Sequence, residues 1–447
     1  MHFDILILGL LIFVAHLFEA IFKKLKIPDV LLLMLIGIVI GPGFHLVSPQ
    51  YFGQFGSVIT GIALIVILFD GGSHLSLHDL KESLRTTLGL ALATFLVSTV
   101  TVAAVSHYMI GLDWLSASLI GVICGAISPV VVLPIITALN LSKSAQTVMT
   151  LETAFTDVLA IILAFSLIDA ISQGTLSPLK IGSKLLLSFF IAGLIGFAAA
   201  LIWSFLLNKV RQFPNTTFTT FAFLFIIYGI AELFHFSGAI TCLAFGMTLS
   251  NLERIKVLRT KYLEDFDFHA FDDDEHSFFS EIKFLLKTFF FIFLGMSFQF
   301  DQVEPIMIGL LITIVLILFR MIIVRLSASK TMGYRELLYM SVMIPKGLAS
   351  AVLASIPLQL ALPHATEIQM TTYSVILWTI LFTSILVFLI EKTSLENVIV
   401  KILGLSEQKE QSDLLNESIY SEMNESADHK DKNRLEKNNE KNENQSD

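Results

Sequence analysis

Residues 149–164, MTLETAFTDVLAIILA, are apolar enough to lie in a bilayer, yet they carry two carboxylates, Glu152 and Asp157. An ionisable side chain inside a membrane span costs roughly 2.5–3.5 kcal/mol on insertion scales, so two in one span point to a role for each. A carboxylate that reaches water from within the membrane can hold either a proton or a small cation on the same oxygens, and the two then compete. A carboxylate shut away from water needs a fixed counter-charge instead. Asp157 fits the first role, as a ligand for a small monovalent cation, and Glu152 fits the second. Such cations want a shell of oxygens. Thr153 (one helical turn before Asp157, on the same face) and Thr156 offer hydroxyls, and Ser128 lies in a nearby interrupted segment. Asp70, in ILFDGG, is a further candidate for attracting the cation.

The elements that must position these groups are helices. The chain has 447 residues, 55% hydrophobic and only 15% charged, with a mean hydropathy of +0.77. Soluble proteins average about 25% charged, so a soluble enzyme or nucleic-acid binder is excluded as the broad class. Pro, Gly and charges divide the chain into about thirteen transmembrane helices, an all-α polytopic membrane protein. Their expected spans are 3–22, 28–43, 55–71, 87–109, 114–138, 145–171, 181–207, 217–234, 237–250, 278–298, 305–327, 336–358 and 369–391. Residues 1–24 read as a first span, because they are too long and end too basic for a cleaved leader. Loops after odd-numbered helices carry nearly all the basic residues, with Lys180 the exception. Positive charge stays inside, which predicts an outside N-terminus and a cytoplasmic C-terminus. By the same reasoning Lys283 and Lys287 snorkel to the cytoplasmic surface. Residues 263–276 form an acidic loop with His269 and His276, and residues 405–447 read as a disordered cytosolic tail. Cys124 and Cys242 read as apolar core residues.

Two spans are interrupted, by GAISPVVVLP (125–134, at Pro129 and Pro134) and by IPKGLAS (344–350, at Pro345). Proline in a helix interior deletes a hydrogen bond, and unpaired backbone at membrane depth is tolerated only where it is buried or lines a cavity. The two spans lie an odd number of helices apart and so run in opposite directions, as inverted repeats of a transporter do. At 1.5 Å per residue, Glu152 lies roughly 10 Å from the cytoplasmic side, Asp157 roughly 18 Å and Arg320 roughly 10 Å. Arg320 matches Glu152 in depth and is one candidate partner. Lys346, roughly 15 Å deep at the second interruption, is the other, and its ammonium could instead plug carbonyls freed there.

On these residues the chain resembles the monovalent cation:proton antiporter superfamily, and within it the NhaP/NHE-type sodium/proton exchangers. KKLKIPDVLLLMLIGIVIGP resembles that family's first hairpin and ILFDGGSHLSL its LF-x-x-GL stretch. LETAFTD resembles the ES-x-x-ND motif, which implies Glu152 as structural glutamate and Asp157 as ion-binding aspartate. ILFRMIIVR is similar to the segment whose arginine pairs with that glutamate, which implies Arg320 rather than Lys346 as the partner. Two positions depart from the pattern: Thr156 stands where the family has Asn, and Ser128 stands where Asp is common. The resemblance further implies an NhaA/NhaP-like antiporter fold and a homodimer. Its scaffold would comprise residues 3–71 and 181–298, and a core of 87–171 and 305–391 would move like an elevator.

The reading that follows is a transporter, not an enzyme, in the cell membrane. It exchanges Na⁺ for H⁺ one for one at Asp157, with Li⁺ as a further substrate and K⁺/H⁺ exchange as the alternative of the same architecture. It needs no cofactor and no nucleic acid. An intramembrane aspartyl protease would require a GxGD-type motif, which is missing. A sensor or channel signalling through its tail would require a folded tail domain.

Overall fold

Long apolar runs must satisfy their backbone N–H and C=O groups without water, and a helix does so within its own segment. Every described element of the computed structural model is accordingly helical. The structure describes residues 29–46, 53–73, 77–139, 141–173, 178–210, 217–234, 236–252, 273–298, 303–327, 332–393 and 395–406, with positions 9, 13, 14, 16 and 17 of the first stretch. The expected helix over 3–22, most of the 263–276 loop and the tail beyond 406 therefore lie outside the described residues.

The helices are α1 (Asp29–Ile38), α2 (Gly53–Ser73), α3 (Leu77–Val105), α4 (Trp114–Ile123), α5 (Pro129–Ala138), α6 (Lys143–Gln173), α7 (Pro178–Val210) and α8 (Thr217–Leu233). They continue as α9 (Gly238–Ser250), α10 (Asp273–Met296), α11 (Val303–Ser327), α12 (Tyr334–Val342), α13 (Leu348–Gln359), α14 (Ala365–Lys392) and α15 (Leu395–Leu403). Among the described residues, five helices are long and apolar enough to cross a membrane by length and composition alone. The expected spans correspond to these helices with shifted ends. α1 closes in a π-turn, Val39–Gly43, and α3 in another, Ser106–Ile110.

Three features differ from the sequence reading. Pro134 does not interrupt its span: the break lies at residues 124–128, and Pro134 sits inside α5. Pro129 is the first residue of α5, where a missing N–H costs nothing, whereas Pro134 lies in the interior of α5 and removes one backbone bond without ending the helix. Second, α15 was not expected. Its short apolar set (Ile399, Val400, Leu403) is buried against α11, α12 and α14, and Arg325 Nη2 donates to Gly404 O at 3.4 Å. Third, Lys283 does not simply reach for the surface. Its Nζ is 2.7 Å from Asp70 Oδ2, an ion pair joining α10 to α2.

The helices pack in two groups. In one, α9 lies against α2, α7 and α8, with α10 on α2 and α1 on α10. Phe69, Trp203, Phe221, Phe245 and Phe279 fill its centre. In the other, α3, α4, α5 and α6 pack with α11, α12, α13 and α14, and both broken helices belong to it. The first group relies on close backbone approach. A Cβ on Gly246 of α9 would run into the carbonyl oxygen of Phe69 on α2, while one on Gly193 of α7 would meet nothing within 4 Å. Small residues at helix crossings are how membrane helices gain van der Waals contact without a hydrophobic driving force. Gly246→Val should therefore destabilise the purified protein by about 1–3 kcal/mol, the usual cost of overpacking, and Gly193→Ala should be neutral. Thermal unfolding in detergent checks this; equal melting temperatures for the two variants would contradict the assignment.

Candidate functional site

Each break is five residues long, 124–128 between α4 and α5 and 343–347 between α12 and α13. The two meet. The backbone N–H of Ser128 donates to Pro345 O at 2.8 Å, and Ser350 Oγ donates to Ile123 O, the last carbonyl of α4, at 2.8 Å. Pairing 128 with 345 and 123 with 350 means the segments run antiparallel, as inverted repeats require. Gly347 makes this approach possible: a Cβ there would collide with Ser128 Oγ.

α6 and α14 close the remaining backbone bonds. The N–H of Ile127 donates to Thr156 Oγ1 at 3.1 Å, and the N–H of Lys346 donates to Thr379 Oγ1 at 3.1 Å. Thr383 Oγ1 donates to Val342 O, the last carbonyl of α12, at 3.4 Å. A buried backbone group left without a partner costs about 1–3 kcal/mol, so these hydroxyls are part of what lets the helices break here.

Beside the crossing lies a cavity of about 270 Å³, counting the space through which it opens, lined by Asp157, Ser128, Gly347, Leu68 and the first residues of α5 and α13. Asp157 is 3% exposed, and its carboxylate makes no hydrogen bond or ion pair with the described residues. Ser128 lines the same cavity, and its buried Oγ has no hydrogen-bond partner among them. Of the oxygen donors expected around Asp157, Ser128 alone shares the cavity with it. Thr156 does not line it and spends its hydroxyl on the first break, accepting from Ile127 and donating to Thr153 O. Thr153 Oγ1 is turned to Thr150 O at 2.8 Å, back-bonded to its own helix. Asp70 also stands outside the cavity lining, in its ion pair with Lys283.

Glu152 has a different environment. It is 1% exposed and faces Arg320 of α11, also 1% exposed. Arg320 Nη2 donates to Glu152 Oε2 at 2.8 Å, and Nη1 donates to the other carboxylate oxygen. The fork is completed by Nη1 to Thr94 Oγ1 at 2.8 Å and Nε to Met340 O at 2.9 Å. One guanidinium thus ties α3, α6, α11 and α12. Bidentate geometry with the leftover donors satisfied is the arrangement in which a buried ion pair can hold. Lys346 does not compete for this carboxylate by hydrogen bonding, and it does not plug carbonyls at the break. Its ammonium is fully buried with no hydrogen-bond partner among the described residues, while its charge reaches Arg320, Glu152 and Asp157.

Sequence reasoning missed Thr94, Ser350 and Thr379. Thr379 had a weak signal in the run of hydroxyls along α14, at 371, 372, 374, 379, 383 and 384. Among the described residues no cluster of three or more His, Cys, Asp or Glu could hold a metal ion, and Cys124 and Cys242 are free and buried.

Removing one partner of a buried pair leaves the other charge uncompensated, at about 3–5 kcal/mol. Glu152→Gln and Arg320→Gln should each cut the yield of folded, monodisperse protein sharply, and the double variant should recover part of the loss. Two fully additive losses would mean that the groups do not act as a pair.

Comparison with known proteins places the chain. The family described as "Sodium/hydrogen exchanger, transmembrane" matches residues 9–392. The chain is 25% identical over 358 residues to Na(+)/H(+) antiporter 1 of Methanocaldococcus jannaschii, covering 78% of this chain and 81% of that one. It is 28% identical over 243 residues to Na(+)/H(+) antiporter NhaH of Halobacillus aidingensis, covering 52% of this chain and 60% of that protein's length. A K(+)/H(+) antiporter NhaP of Alkalimonas amylolytica is 23% identical over 57% of this chain and 45% of its own length. Among solved structures, the sodium proton antiporter MjNhaP1 from Methanocaldococcus jannaschii at pH 8 superposes with a TM-score of 0.70 at 23% identity, over 87% of this chain and 99% of that one. With that fold and a family match over nearly all of its helices, this multi-pass membrane protein belongs to the sodium/hydrogen exchanger family.

Proposed function

We propose that this protein exchanges Na⁺ for H⁺ across the membrane, one for one, with Asp157 as the carboxylate for which the two ions compete. The observation that carries the reading is the contrast between two buried carboxylates five residues apart. Glu152 is neutralised by Arg320 through two hydrogen bonds, whereas Asp157 is unpaired and opens on a cavity at the crossing of two broken helices. A carboxylate with no fixed partner can be neutralised by either cargo, a proton or a monovalent cation, and each form is less costly to bury than the bare anion. Ser128 Oγ stands ready as a neutral oxygen in the same cavity, and the Lys346 charge nearby lowers the cost of the moment when Asp157 carries neither.

Na⁺ leads over K⁺ because the Halobacillus relative named for Na⁺/H⁺ exchange is 28% identical and the Methanocaldococcus one is matched over 78% of this chain, against 23–25% identity over 55–57% of this chain for relatives named for K⁺/H⁺ exchange. K⁺/H⁺ exchange is the second reading, favoured by Thr156 standing where an amide is usual in the family and spending its hydroxyl on the backbone. Asp157 and Ser128 are the ion ligands in this account, and Thr153, Thr156 and Asp70 act around them, by back-bonding, by bracing the break and by tying α2 to α10. The two packing groups support an elevator-like step in which the broken helices and α6 move as one body against the group around α9. A homodimer, an outside N-terminus and a cytoplasmic C-terminus complete the proposal.

The decisive experiment is dequenching of a pH gradient in everted vesicles or proteoliposomes on adding Na⁺, K⁺ or Li⁺. Wild-type protein should respond most strongly to Na⁺, and Asp157→Asn should abolish the response while keeping folded yield. Exchange surviving in Asp157→Asn would overturn the mechanism. Collapsing the membrane potential should leave the rate unchanged, and a strong dependence would overturn the one-for-one count.

A further inference from the structure

The two breaks are braced in the same way by helices that follow them in each repeat. In the first, the fourth residue of the break, Ile127, donates its N–H to Thr156 Oγ1 at 3.1 Å, and that hydroxyl donates to the carbonyl three residues back, Thr153 O, at 3.1 Å. In the second, the fourth residue of the break, Lys346, donates its N–H to Thr379 Oγ1 at 3.1 Å, and that hydroxyl donates three residues back to Ile376 O at 3.1 Å, and to Val375 O at 2.7 Å. In each case donating the hydroxyl proton to its own helix fixes the rotor and aims a lone pair at the break. The equivalence stops one residue on. Asp157 follows Thr156, whereas a fully buried isoleucine, Ile380, follows Thr379. The fold therefore has two braces and one carboxylate.

The brace on the second break bears directly on the cavity. The N–H of Lys346 and the carbonyl of Pro345 belong to one planar peptide group. That plane is held on both edges, by Thr379 Oγ1 on α14 and by the N–H of Ser128 in the first break at 2.8 Å. Ser128 lines the cavity with Asp157, and so do Gly347, Leu348 and Ala349, which follow the braced peptide in sequence. Turning the 345–346 peptide moves Ser128 and the start of α13 together.

We propose that Thr379 is a positioning residue for ion exchange: it fixes the 345–346 peptide and, through it, the distance between Ser128 and Asp157 at the cavity. The inference rests on the exchange reading given above. Thr379→Val keeps the shape of the side chain and deletes the hydroxyl, leaving the Lys346 N–H unsatisfied. Loss of one such buried bond should raise the cation concentration for half-maximal dequenching about tenfold, with the maximal rate changed much less. Thr379→Ser, which restores the hydroxyl, should return the half-saturation value to that of the wild type. Thr313→Val serves as the control, since Thr313 is buried in α11 and bonds only back to Gly309 O of its own helix at 2.8 Å. It should leave half-saturation unchanged. A Thr379→Val variant with wild-type half-saturation, or a Thr313→Val variant shifted as much, would overturn the role of Thr379 while leaving exchange at Asp157 intact. Should the valine variant fail to insert, Thr379→Ala and Thr379→Ser measured in the same assay decide the matter, equal values overturning it. A wild type with no cation-driven signal would instead overturn the exchange reading itself.

Discussion

Backbone polarity at membrane depth is the constraint on which this structure turns. Two helices are cut in mid-span, and each cut frees N–H and carbonyl groups that neither lipid nor apolar side chains can satisfy. The protein places the cuts against each other and supplies what is missing from neighbours: Ser128 N–H to Pro345 O, Ser350 to Ile123 O, Thr156 to Ile127, Thr379 to Lys346 and Thr383 to Val342. Much else follows. α6 and α14 must pass beside the crossing with hydroxyls at the right height, and residue 347 must be glycine for the breaks to touch.

The crossing also explains why two carboxylates on one helix end up with different tasks. Glu152 lies where α3, α6, α11 and α12 converge, and a single guanidinium with donors to all the available acceptors neutralises it. Such a pair is costly to open and so suits a fixed joint. Asp157 lies beside the break itself, on a cavity, with the Lys346 charge acting on it and no fixed ion pair of its own among the described residues. Lys346 sits between these extremes, buried without a hydrogen bond yet within electrostatic range of both carboxylates.

Around this centre the helices divide by the way they pack. The group containing α2, α7, α8, α9 and α10 is held by aromatic rings, by close glycine contacts and by the Asp70–Lys283 ion pair. The group containing the breaks adds polar bonds between helices to an extensive apolar core. In the elevator-like step proposed above, this group moves as a unit, because apolar contacts at its boundary re-form at a new height and buried hydrogen bonds do not.

Most of the architecture was readable in the residues. The helical class followed from apolar runs of membrane length, the broken spans from Pro129 and Pro345 at mid-span, and the expectation of different roles for Glu152 and Asp157 from their depths, since rise per residue is nearly constant in a helix. Depth alone left Arg320 and Lys346 as rival partners for Glu152. What depth cannot provide is rotation: which way a side chain faces around its helix and which neighbour stands opposite depend on packing. The tertiary structure alone decided that the Thr156 hydroxyl is turned to the backbone of the first break, that Asp70 is tied to Lys283, and that Thr379, only weakly signalled by the hydroxyls along α14, braces the second break, while for Glu152 it shows the Arg320 pairing that the family resemblance implied. It also decided that α5 continues through Pro134, which costs one backbone bond without ending the helix. Sequence specified which groups had to be satisfied; three-dimensional contact determined by what.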